Sequence, residues 1–330
     1  MHKGHQTDRY QSIVSGCGSY LPGDPISNHQ LIERYQVDSS HGWIKQRTGI
    51  CYRHFADQDT LTSDLAFKAC EKALADASLK ASQIDMIIVA TTTPDHTFPA
   101  MATHLQAKLG ISGSAAFDVQ AVCAGFVFAL QCAHHAIIAG QAEHILVVGA
   151  DAYSRILDWQ DRGTCILFGD GAGAIILSKG RQATDRGVLS THLASDGRYY
   201  KKLYVDGGVA STQTTGYVRM SGQEVFKFAV KKMASISIDA LTYNDLNIDD
   251  VDWFVPHQAN QRIIEKTGQK LGINPKKVIM TVQDYANTSA ATIPIALDKA
   301  KDDGLIHQGQ LVLLATMGGG FSWGSALIRW

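Results

Sequence analysis

The chain has 330 residues, of which 45% are hydrophobic and 18% are charged, and its 30 basic and 31 acidic side chains give a formal net charge of -1. This balance argues against a protein that binds nucleic acid or an anionic membrane, because most of the affinity for phosphates comes from an excess of Lys and Arg. A chain of this length typically forms about two domains and buries a core without the help of disulfides.

Short apolar runs alternate with longer amphipathic segments along the chain. In chain order, strands are predicted over residues 86–91, 115–119, 144–150, 165–168, 253–256, 278–282, 310–316 and 325–329. Helices are predicted between them, over residues 63–77, 124–139, 223–243, 261–271 and 290–301. This alternation is typical of an α/β protein with mainly parallel strands.

A weak internal repeat indicates two similar halves. Asp85 and its strand have a counterpart in Asp252 and its strand, 167 positions later, and the strand at Ile145 has one at Leu311, 166 positions later. The segments FDVQAVCAGFVFAL and TVQDYANTSAATIPIAL lie between these strands, and each half ends with a glycine cluster. Chance agreement of apolar strands is the alternative. The shared offset favours a duplication, with halves over 1–180 and 181–330.

The cysteines and the N-terminus indicate a cytoplasmic protein. The six cysteines show neither a CxxC pair nor a spacing typical of a metal site, so we expect reduced thiols and no metal. The N-terminus is polar, and the longest uncharged apolar run, over 121–130, has ten residues. We therefore expect neither a signal peptide nor a transmembrane helix.

Cys123 lies between a predicted strand and an apolar helix. A helix N-terminus offers unpaired N–H groups and the positive end of the helix dipole, which favour the nucleophilic thiolate. Open α/β folds also place their sites at the carboxyl ends of parallel strands. The alternative is a small core residue, a common role of free cysteine.

His257 and Asn287 occupy comparable positions in the second half. His257 ends a predicted strand, and Asn287 falls where Cys123 falls in the repeat. Taken singly, a histidine after a strand is more often structural, and an asparagine at a strand-to-helix turn is an ordinary N-cap. The repeat places both near Cys123, which gives a candidate Cys/His/Asn set.

Two glycine clusters have different interpretations. The cluster over 169–173 lacks the phosphate-loop pattern and precedes a predicted strand, so we reject a nucleotide site there. The cluster over 318–320 follows a strand, where bare backbone can approach a ligand and offer an N–H to an oxyanion. A simple tight turn is the alternative.

Positive charges recur at two places. Arg262, Lys266 and Lys270 share one face of a predicted helix, which is either a solvated face or a dock for an acidic, phosphate-bearing carrier. The segment at Trp43 and Arg47, together with Arg162, could stack on a base and bind its phosphates; core packing and surface solvation are the simpler alternatives.

Seven motifs together resemble the beta-ketoacyl-acyl-carrier-protein synthase III family, the initiating condensing enzymes of type II fatty-acid synthesis within the thiolase superfamily. They are WIKQRTGI, IIVATTTPDHTFPA, AFDVQAVCAGF, DRGTCILFGDGAGA, VPHQANQRI, NTSAATIPIAL and GGGFSWGSALIRW. The resemblance runs from residue 12 to residue 330. It implies a thiolase-like fold of two similar α/β halves in a layered αβαβα arrangement.

The resemblance also implies a mechanism. Cys123 would accept an acyl group from an acyl-CoA primer, acetyl-CoA by the resemblance, and malonyl-acyl carrier protein would lose CO2 to give the attacking carbanion. His257 and Asn287 would stabilise the enolate-like charge. The N–H groups of Cys123 and Gly319 would form the oxyanion hole. No cofactor is implied beyond the two thioester substrates.

Further positions carry roles by resemblance only. The CoA-binding residues would be Trp43, Arg47 and Arg162. The acyl-pocket residues would be Phe98, Leu167, Phe168 and Met220, with Phe98 reaching across a homodimer. The carrier-protein dock would consist of Lys227, Arg262 and Lys270.

The sequence departs from the common family pattern at three places. Ala286 stands where many relatives have glycine, Gln269 stands where a second lysine would strengthen the dock, and polar residues extend the N-terminus. None removes a catalytic group. They bear on carrier affinity and on pocket shape, which selects chain length through small energy differences.

Four alternative functions are weighed against the initiating synthase. A thiolase is disfavoured, because it needs a second cysteine in the C-terminal half and no cysteine follows Cys165. Relatives in polyketide, alkylquinolone or other specialised pathways keep the same Cys/His/Asn set and remain the main alternative. A cysteine hydrolase uses the same residue types but lets water reach the acyl-enzyme. A non-catalytic acyl-CoA binding protein is disfavoured by the complete set.

Overall fold

The computed structural model describes residues 10–181 and 186–330. Its strands are β1 (Tyr10–Tyr20), β2 (Ile26–Ser27), β3 (Tyr52–Arg53), β4 (Met86–Ala90), β5 (Ala115–Val119), β6 (His144–Asp151), β7 (Gly171–Arg181), β8 (Gly187–Ser195), β9 (Leu203–Val205), β10 (Val218–Met220), β11 (Trp253–Pro256), β12 (Leu311–Gly318) and β13 (Ser322–Arg329). Its α-helices are α1 (Asn28–Tyr35), α2 (His41–Thr48), α3 (Thr62–Asp76), α4 (Met101–Lys108), α5 (Gly125–Ile138), α6 (Gly222–Tyr243), α7 (Gln261–Leu271), α8 (Val282–Tyr285) and α9 (Thr292–Asp302). Most of the polar N-terminal extension lies outside the described residues.

Two mixed sheets form the framework. Their strand orders are β1-β7-β6-β4-β5 and β11-β12-β13-β8. The pairs β4–β5, β4–β6 and β11–β12 are parallel, whereas β1–β7, β6–β7, β12–β13 and β13–β8 are antiparallel. The prediction of mainly parallel strands is therefore wrong. Residues 319–321 alone connect β12 to β13, and so short a connection makes a hairpin rather than a parallel crossover.

The second sheet repeats the strand order of the first. The correspondence is β4 with β11, β6 with β12, β7 with β13 and β1 with β8. A parallel bridge between Val278 and Phe254 in the second half stands in the place of the β4–β5 pair in the first. Asp85 Oδ2 accepts a hydrogen bond from the first N–H of β6 at 3.0 Å, and Asp252 Oδ2 accepts one from the first N–H of β12 at 2.7 Å. The two similar α/β halves are confirmed, while the exact division at residue 180 stays a prediction.

The helices complete a layered arrangement. Helices α5 and α9 pack between the sheets and contact strands of both. Helices α3 and α4 cover the outer face of the first sheet, and α6 covers the outer face of the second. The predicted αβαβα layering is confirmed. The sequence of α5 is apolar around most of its circumference, as a helix buried between two sheets requires.

A close approach between the halves depends on one glycine. A Cβ at Gly149, in β6, would lie 2.3 Å from the carbonyl oxygen of Ala290. Ala290 lies in the single 3-10 turn Ser289–Ala291 that precedes α9. Since no other residue type fits this spacing, Gly149 lets the end of β6 reach the turn that carries the second half of the candidate site.

Most predicted elements agree with the structure, with a few exceptions. Strands β5 and β11 and helix α7 have their predicted bounds, and the ends of the other predicted helices differ by at most two residues. The strand predicted over 165–168 is wrong: these residues form turns that end in an isolated bridge between Phe168 and Asn287. The strand predicted over 278–282 is also wrong, because α8 begins at Val282. Strands β1, β7 and β8 were not predicted.

The following properties, on membrane helices, metal ligands and cysteines, hold for residues 10–181 and 186–330. None of the helices there is both long enough and apolar enough to cross a bilayer. Within the same residues, no three His, Cys, Asp or Glu side chains are grouped so that they could hold a metal ion. The six cysteines are free thiols, and Cys132 alone among them is exposed.

Candidate active site

Cys123, His257 and Asn287 line one cavity of about 480 Å³. The cavity lining also includes eight residues singled out from the sequence: Trp43, Arg47, Arg162, Leu167, Phe168, Met220, Lys227 and Arg262. Three other predicted site residues are not part of this lining: Phe98, Lys270 and Gly319. The structure thus brings together the candidate nucleophile, its two partners and the candidate CoA residues.

Cys123 lies in the 3-10 turn Val122–Ala124, immediately before α5. Its side chain is 4% exposed. Strand β12 of the second half packs against its backbone, because Thr316 Oγ1 donates a hydrogen bond to the Cys123 carbonyl at 2.8 Å. A Cβ at Gly318 would lie 2.7 Å from the Cys123 nitrogen, so this close backbone approach requires glycine.

The thiol of Cys123 is protonated in the resting protein. Burial raises its pKa to about 12, although hydrogen bonds from Ser289 and Asn287 act in the opposite direction, and the nearby Asp151 carboxylate raises the pKa further. The sequence-based expectation was a lowered pKa at a helix N-terminus. Burial acts in the opposite direction, because it disfavours the charged thiolate.

His257 follows β11 and is held from two sides. Its backbone N–H donates to the carbonyl of Ala315 in β12 at 2.8 Å, and its ring nitrogen Nδ1 lies 2.6 Å from Thr292 Oγ1. Burial lowers the pKa of the imidazole to about 3, so the ring is neutral at physiological pH. With Nδ1 engaged, Nε2 is the ring nitrogen left for a ligand. Nε2 carries the proton in the tautomer in which the Thr292 hydroxyl donates to Nδ1 rather than to the Ser289 carbonyl oxygen, which lies 3.1 Å from Thr292 Oγ1.

Asn287 is fixed through both its backbone and its side chain. Its N–H donates to the Leu167 carbonyl and its own carbonyl accepts from Gly169 N–H, both at 3.0 Å. Its Oδ1 accepts a hydrogen bond from the N–H of Ser289 at 2.8 Å. Because the oxygen of the amide is occupied, the Nδ2 group is the part that can donate to a ligand in the cavity.

Ala286 adopts a conformation that suits glycine. Its φ of 56° and ψ of -159° fall outside the regions that residues with a Cβ normally occupy. Alanine stands here where the family pattern has glycine, and its backbone angles are nevertheless those typical of glycine. The Ala286 methyl group is buried beside Ile50, Ile264 and Val282.

We expect Ala286→Gly to stabilise the protein by roughly 1 kcal/mol, because relief of a strain of about 1–3 kcal/mol exceeds the loss of one buried methyl group. Urea unfolding of the two proteins measures this difference. Ala291→Gly is the matched control: Ala291 is also buried but has helical backbone angles, so the same change should destabilise. A lower stability of Ala286→Gly would show that methyl packing outweighs the strain.

Trp43, Arg47 and Arg162 form one cation-rich group at the cavity. The guanidinium carbons of Arg47 and Arg162 lie 5.6 and 5.1 Å from the centre of the indole ring. Arg162 also donates to the Asp38 carbonyl at 2.8 Å and pairs with its carboxylate at 3.5 Å. An aromatic base between Trp43 and Arg162 needs about 7 Å, two van der Waals contacts, so Arg162 must move outward to admit one.

The inner wall of the cavity is apolar. Phe168 stacks on the buried ring of Tyr153, with ring centres 4.3 Å apart, and Leu167 and Met220 contribute further apolar surface. Phe98 does not contribute to the wall in this chain, because its side chain is 84% exposed. Its predicted role in the pocket of a second subunit stays a prediction.

The candidate dock surrounds the mouth of the cavity only in part. Lys227 in α6 and Arg262 in the first turn of α7 are exposed and line the cavity. Lys270 is also exposed, but it lies eight residues further along α7, about 12 Å from Arg262 along the helix axis. Gly319, the predicted oxyanion donor, lies in the β12–β13 connection next to Gly318, the glycine that packs on Cys123.

Four residues of the site were missed in the sequence. They are Asp151, Tyr153, Ser289 and Thr292. Ser289 and Thr292 belong to the motif NTSAAT, whose density of hydroxyl groups beside Asn287 was an available signal. Asp151 and Tyr153 follow an apolar strand that carries no recognisable motif. Burial and position relative to the second half, which only the fold provides, reveal their relation to Cys123.

Comparisons with known proteins identify the family of the chain. Models of the family 3-oxoacyl-[acyl-carrier-protein (ACP)] synthase III match residues 117–197, and its C-terminal model matches residues 241–330. A beta-ketoacyl-[acyl-carrier-protein] synthase III from Bradyrhizobium diazoefficiens is 56% identical over 98% of this chain and 99% of its own length.

Solved structures give the same result. The chain superimposes on the 3-oxoacyl-[acyl-carrier-protein] synthase III of Aquifex aeolicus with a TM-score of 0.91 and 40% identity, covering 97% of this chain and 100% of that one. The priming beta-ketosynthase of the R1128 polyketide pathway has the same TM-score of 0.91 at 31% identity, over 99% of this chain and 98% of its own. The resemblance seen in the sequence is confirmed, and with it an acyl-transferring condensing enzyme. The chain belongs to the beta-ketoacyl-[acyl-carrier-protein] synthase III family.

Proposed function

We propose that the chain condenses an acyl-CoA primer, acetyl-CoA in the simplest case, with malonyl-acyl carrier protein to give a beta-ketoacyl-acyl carrier protein, the first condensation of fatty-acid synthesis. The observation that supports this most directly is the single cavity that holds a buried thiol together with two neutral hydrogen-bond donors. A specialised condensing enzyme is the alternative. The higher identity to the fatty-acid relatives than to the polyketide ketosynthase favours the primary pathway.

In the first half-reaction, Cys123 accepts the acyl group as a thioester. The thiolate attacks the carbonyl carbon, and the N–H groups of Cys123 and Gly319 stabilise the oxyanion. The close packing of Gly318 on the Cys123 nitrogen supports this assignment, because it brings the β12–β13 connection next to the nucleophile. The apolar wall formed by Leu167, Phe168 and Met220 would hold the acyl chain.

In the second half-reaction, His257 Nε2 and Asn287 Nδ2 bind the thioester oxygen of the malonyl group. Loss of CO2 places negative charge on that oxygen, and two fixed donors in a buried site stabilise this charge more strongly than water would. A neutral imidazole suits this role, since its proton stays on Nε2 while charge develops. The reaction as proposed needs no cofactor beyond the CoA and phosphopantetheine thioesters.

The remaining assignments concern substrate binding and assembly. CoA would bind with its base between Trp43 and Arg162 and its phosphates near Arg47, and the carrier protein would contact Lys227, Arg262 and Lys270. A homodimer is proposed by similarity to the family, with the exposed ring of Phe98 reaching the pocket of the second subunit. We place the enzyme in the cytoplasm, where carrier-protein-dependent synthesis takes place. Sedimentation velocity would test the dimer.

Intact-protein mass spectrometry tests the proposed function. The protein is incubated with a panel of acyl-CoA thioesters and then with malonyl-acyl carrier protein. We expect an acyl adduct on Cys123 that the carrier substrate discharges as a beta-ketoacyl product, and the panel identifies the primer. An adduct that malonyl-carrier does not discharge would indicate a specialised relative. An adduct lost to water faster than to condensation would indicate a hydrolase.

Substitution of Arg162 tests the CoA site separately. Arg162→Ala should raise the KM for acyl-CoA about tenfold and leave the KM for malonyl-acyl carrier protein unchanged, because the lost contact involves only the CoA substrate. Arg198→Ala, which removes an equally cationic but strongly exposed side chain outside the cavity lining, serves as the control. Equal effects of the two substitutions would contradict the CoA assignment.

A further inference from the structure

Gln258 directly follows the histidine of the Cys/His/Asn set, and its side-chain amide is buried, with 1% of the residue exposed. Its Nε2 donates hydrogen bonds to the carbonyls of Pro256 at 2.7 Å and Ile279 at 3.1 Å. Its Oε1 accepts from the backbone N–H groups of Thr281 at 2.8 Å and Val282 at 3.2 Å. These four bonds use both donors and both lone pairs of the amide, so its orientation is fixed.

Gln258 caps helix α8 from a different segment of the chain. The first N–H groups of a helix have no partner within the helix. Thr281, the N-cap residue of α8, makes no capping bond with its own side chain. The amide oxygen of Gln258 takes its place and accepts from the first two N–H groups. The end of β11 and the start of α8 are therefore held at a fixed distance by one side chain.

Helix α8 transmits this anchor to Asn287. The N–H of Tyr285 donates to the Thr281 carbonyl and that of Ala286 to the Val282 carbonyl, both at 3.1 Å. Asn287 is the next residue. The unusual backbone angles of Ala286 persist only where the surrounding structure fixes them. A shift at the start of this single helical turn would therefore displace the asparagine.

The donors His257 and Asn287 must converge on one oxygen atom. Thr292 holds the ring of His257, whereas Gln258 holds the backbone next to it and the helix before Asn287. Catalytic donors work only within about 0.5 Å of the productive geometry. A displacement of about 1 Å can cost about 100-fold in rate. The spacing that Gln258 sets is thus a condition for the two donors to act together.

The groups that serve acylation are held by other contacts. Thr316 bonds the Cys123 carbonyl, and Gly318 packs on the Cys123 nitrogen. The four hydrogen bonds of Gln258 go to neither strand β12 nor the turn that carries Cys123. Loss of these bonds should therefore affect the step that uses His257 and Asn287 and spare the formation of the acyl-enzyme.

We propose that Gln258 is a positioning residue for the condensation step, which sets the spacing between His257 Nε2 and Asn287 Nδ2 that the thioester oxygen of the malonyl group requires. Gln258 is not part of the cavity lining, although His257 and Ala259 on either side of it are. It touches no substrate and acts through the two donors. This inference rests on the proposed condensation and adds a residue to it.

Gln258→Met tests the proposal, because methionine has a similar length and forms none of the four hydrogen bonds. Single-turnover assays measure acylation by acyl-CoA and, from the preformed acyl-enzyme, discharge by malonyl-acyl carrier protein. We expect discharge to slow about 30- to 100-fold and acylation to stay within about threefold of wild type. In the steady state kcat should fall more than the KM for malonyl-acyl carrier protein rises, since the donors act on charge that develops in the transition state.

Gln258→Glu is the conservative variant. Burial favours the neutral form of the introduced carboxyl group, which can accept from Thr281 and Val282 and donate once to a carbonyl. It thus keeps three of the four bonds. We expect discharge at least about fivefold faster than in Gln258→Met. This variant also decides the question if Gln258→Met does not fold, because its own discharge should then be slowed more than its acylation.

Gln310→Met is the matched control. Gln310 lies just before β12, and its Oε1 accepts from the indole N–H of Trp253 at 3.1 Å and from the backbone N–H of His307 at 2.7 Å. It therefore joins two segments at the opposite end of β11 from His257. Its substitution should leave both half-reactions unchanged. Thermal unfolding of both methionine variants shows whether a loss of stability alone slows discharge.

Three results would overturn the assignment. They are discharge by Gln258→Met within about threefold of wild type, equal slowing of both half-reactions, and a similar effect of Gln310→Met. Crystal structures of wild type and Gln258→Met give a readout without substrate. The distance between His257 Nε2 and Asn287 Nδ2 should change by more than about 0.5 Å.

The crystal structures also separate this inference from the proposed function. If malonyl-acyl carrier protein does not discharge wild type but the distance between the two donors changes in Gln258→Met, the proposed function fails and the positioning role stands. An unchanged distance contradicts the positioning role, whatever reaction the enzyme catalyses.

Discussion

Cys123→Ala is expected to form no acyl adduct with any acyl-CoA and to lose condensation by more than about 10⁴-fold, because no other group in the cavity can replace the covalent nucleophile. Intact-protein mass spectrometry and product formation from malonyl-acyl carrier protein measure the two losses. The substitution removes one sulfur atom from a buried position, so the fold should persist.

Cys132→Ala provides the matched control for this variant. Cys132 lies in α5, further along the chain than Cys123, and is exposed. Its removal should change neither acylation nor condensation. Residual condensation in Cys123→Ala near the wild-type rate would mean that the thiol is a structural core residue, as one interpretation of the sequence allowed.

His257→Ala is expected to separate the two half-reactions. Acylation of Cys123 should persist, while discharge of the acyl group by malonyl-acyl carrier protein should fall about 10² to 10³-fold, the usual effect of removing one donor from an oxyanion site. Asn287→Ala should act in the same direction. Single-turnover assays that begin from the preformed acyl-enzyme measure this step alone.

The condensation step should also be insensitive to titration of His257. The folded-state pKa of about 3 lies below the ordinary value, so the neutral ring persists as pH falls until about that pH. We therefore expect no loss attributable to this histidine between pH 7 and about pH 5. His257→Gln, whose amide can still donate, should recover part of the activity. A His257→Ala variant that discharges normally would contradict the assigned role.

The parts of the site that the sequence predicted follow from local patterns and from the repeat. Cys123 was found from its strand-to-helix position, and the offset between the halves placed His257 and Asn287 beside it. The apolar runs that became β5 and β11 were also bounded correctly. These features depend on periodicity and on order along the chain, both of which a single sequence contains.

Other features depend on packing that a sequence does not contain. Strand β1 was missed because Gly16 and Gly18 interrupt its apolar pattern; a Cβ at either would lie 2.5 Å from the backbone of α3. The high pKa of Cys123 depends on complete burial between the two sheets, which no local motif encodes. Asp151 and Ser289 are far apart in the chain, and only the fold brings them together.

The buried, protonated state of Cys123 also bears on chemical damage. Peroxide and similar oxidants react with the thiolate of cysteine, and their attack requires access to the sulfur. The pKa of about 12 leaves little thiolate in the resting enzyme, although the thiol faces the cavity. A low thiolate fraction slows the conversion of the nucleophile to sulfenic acid between turnovers.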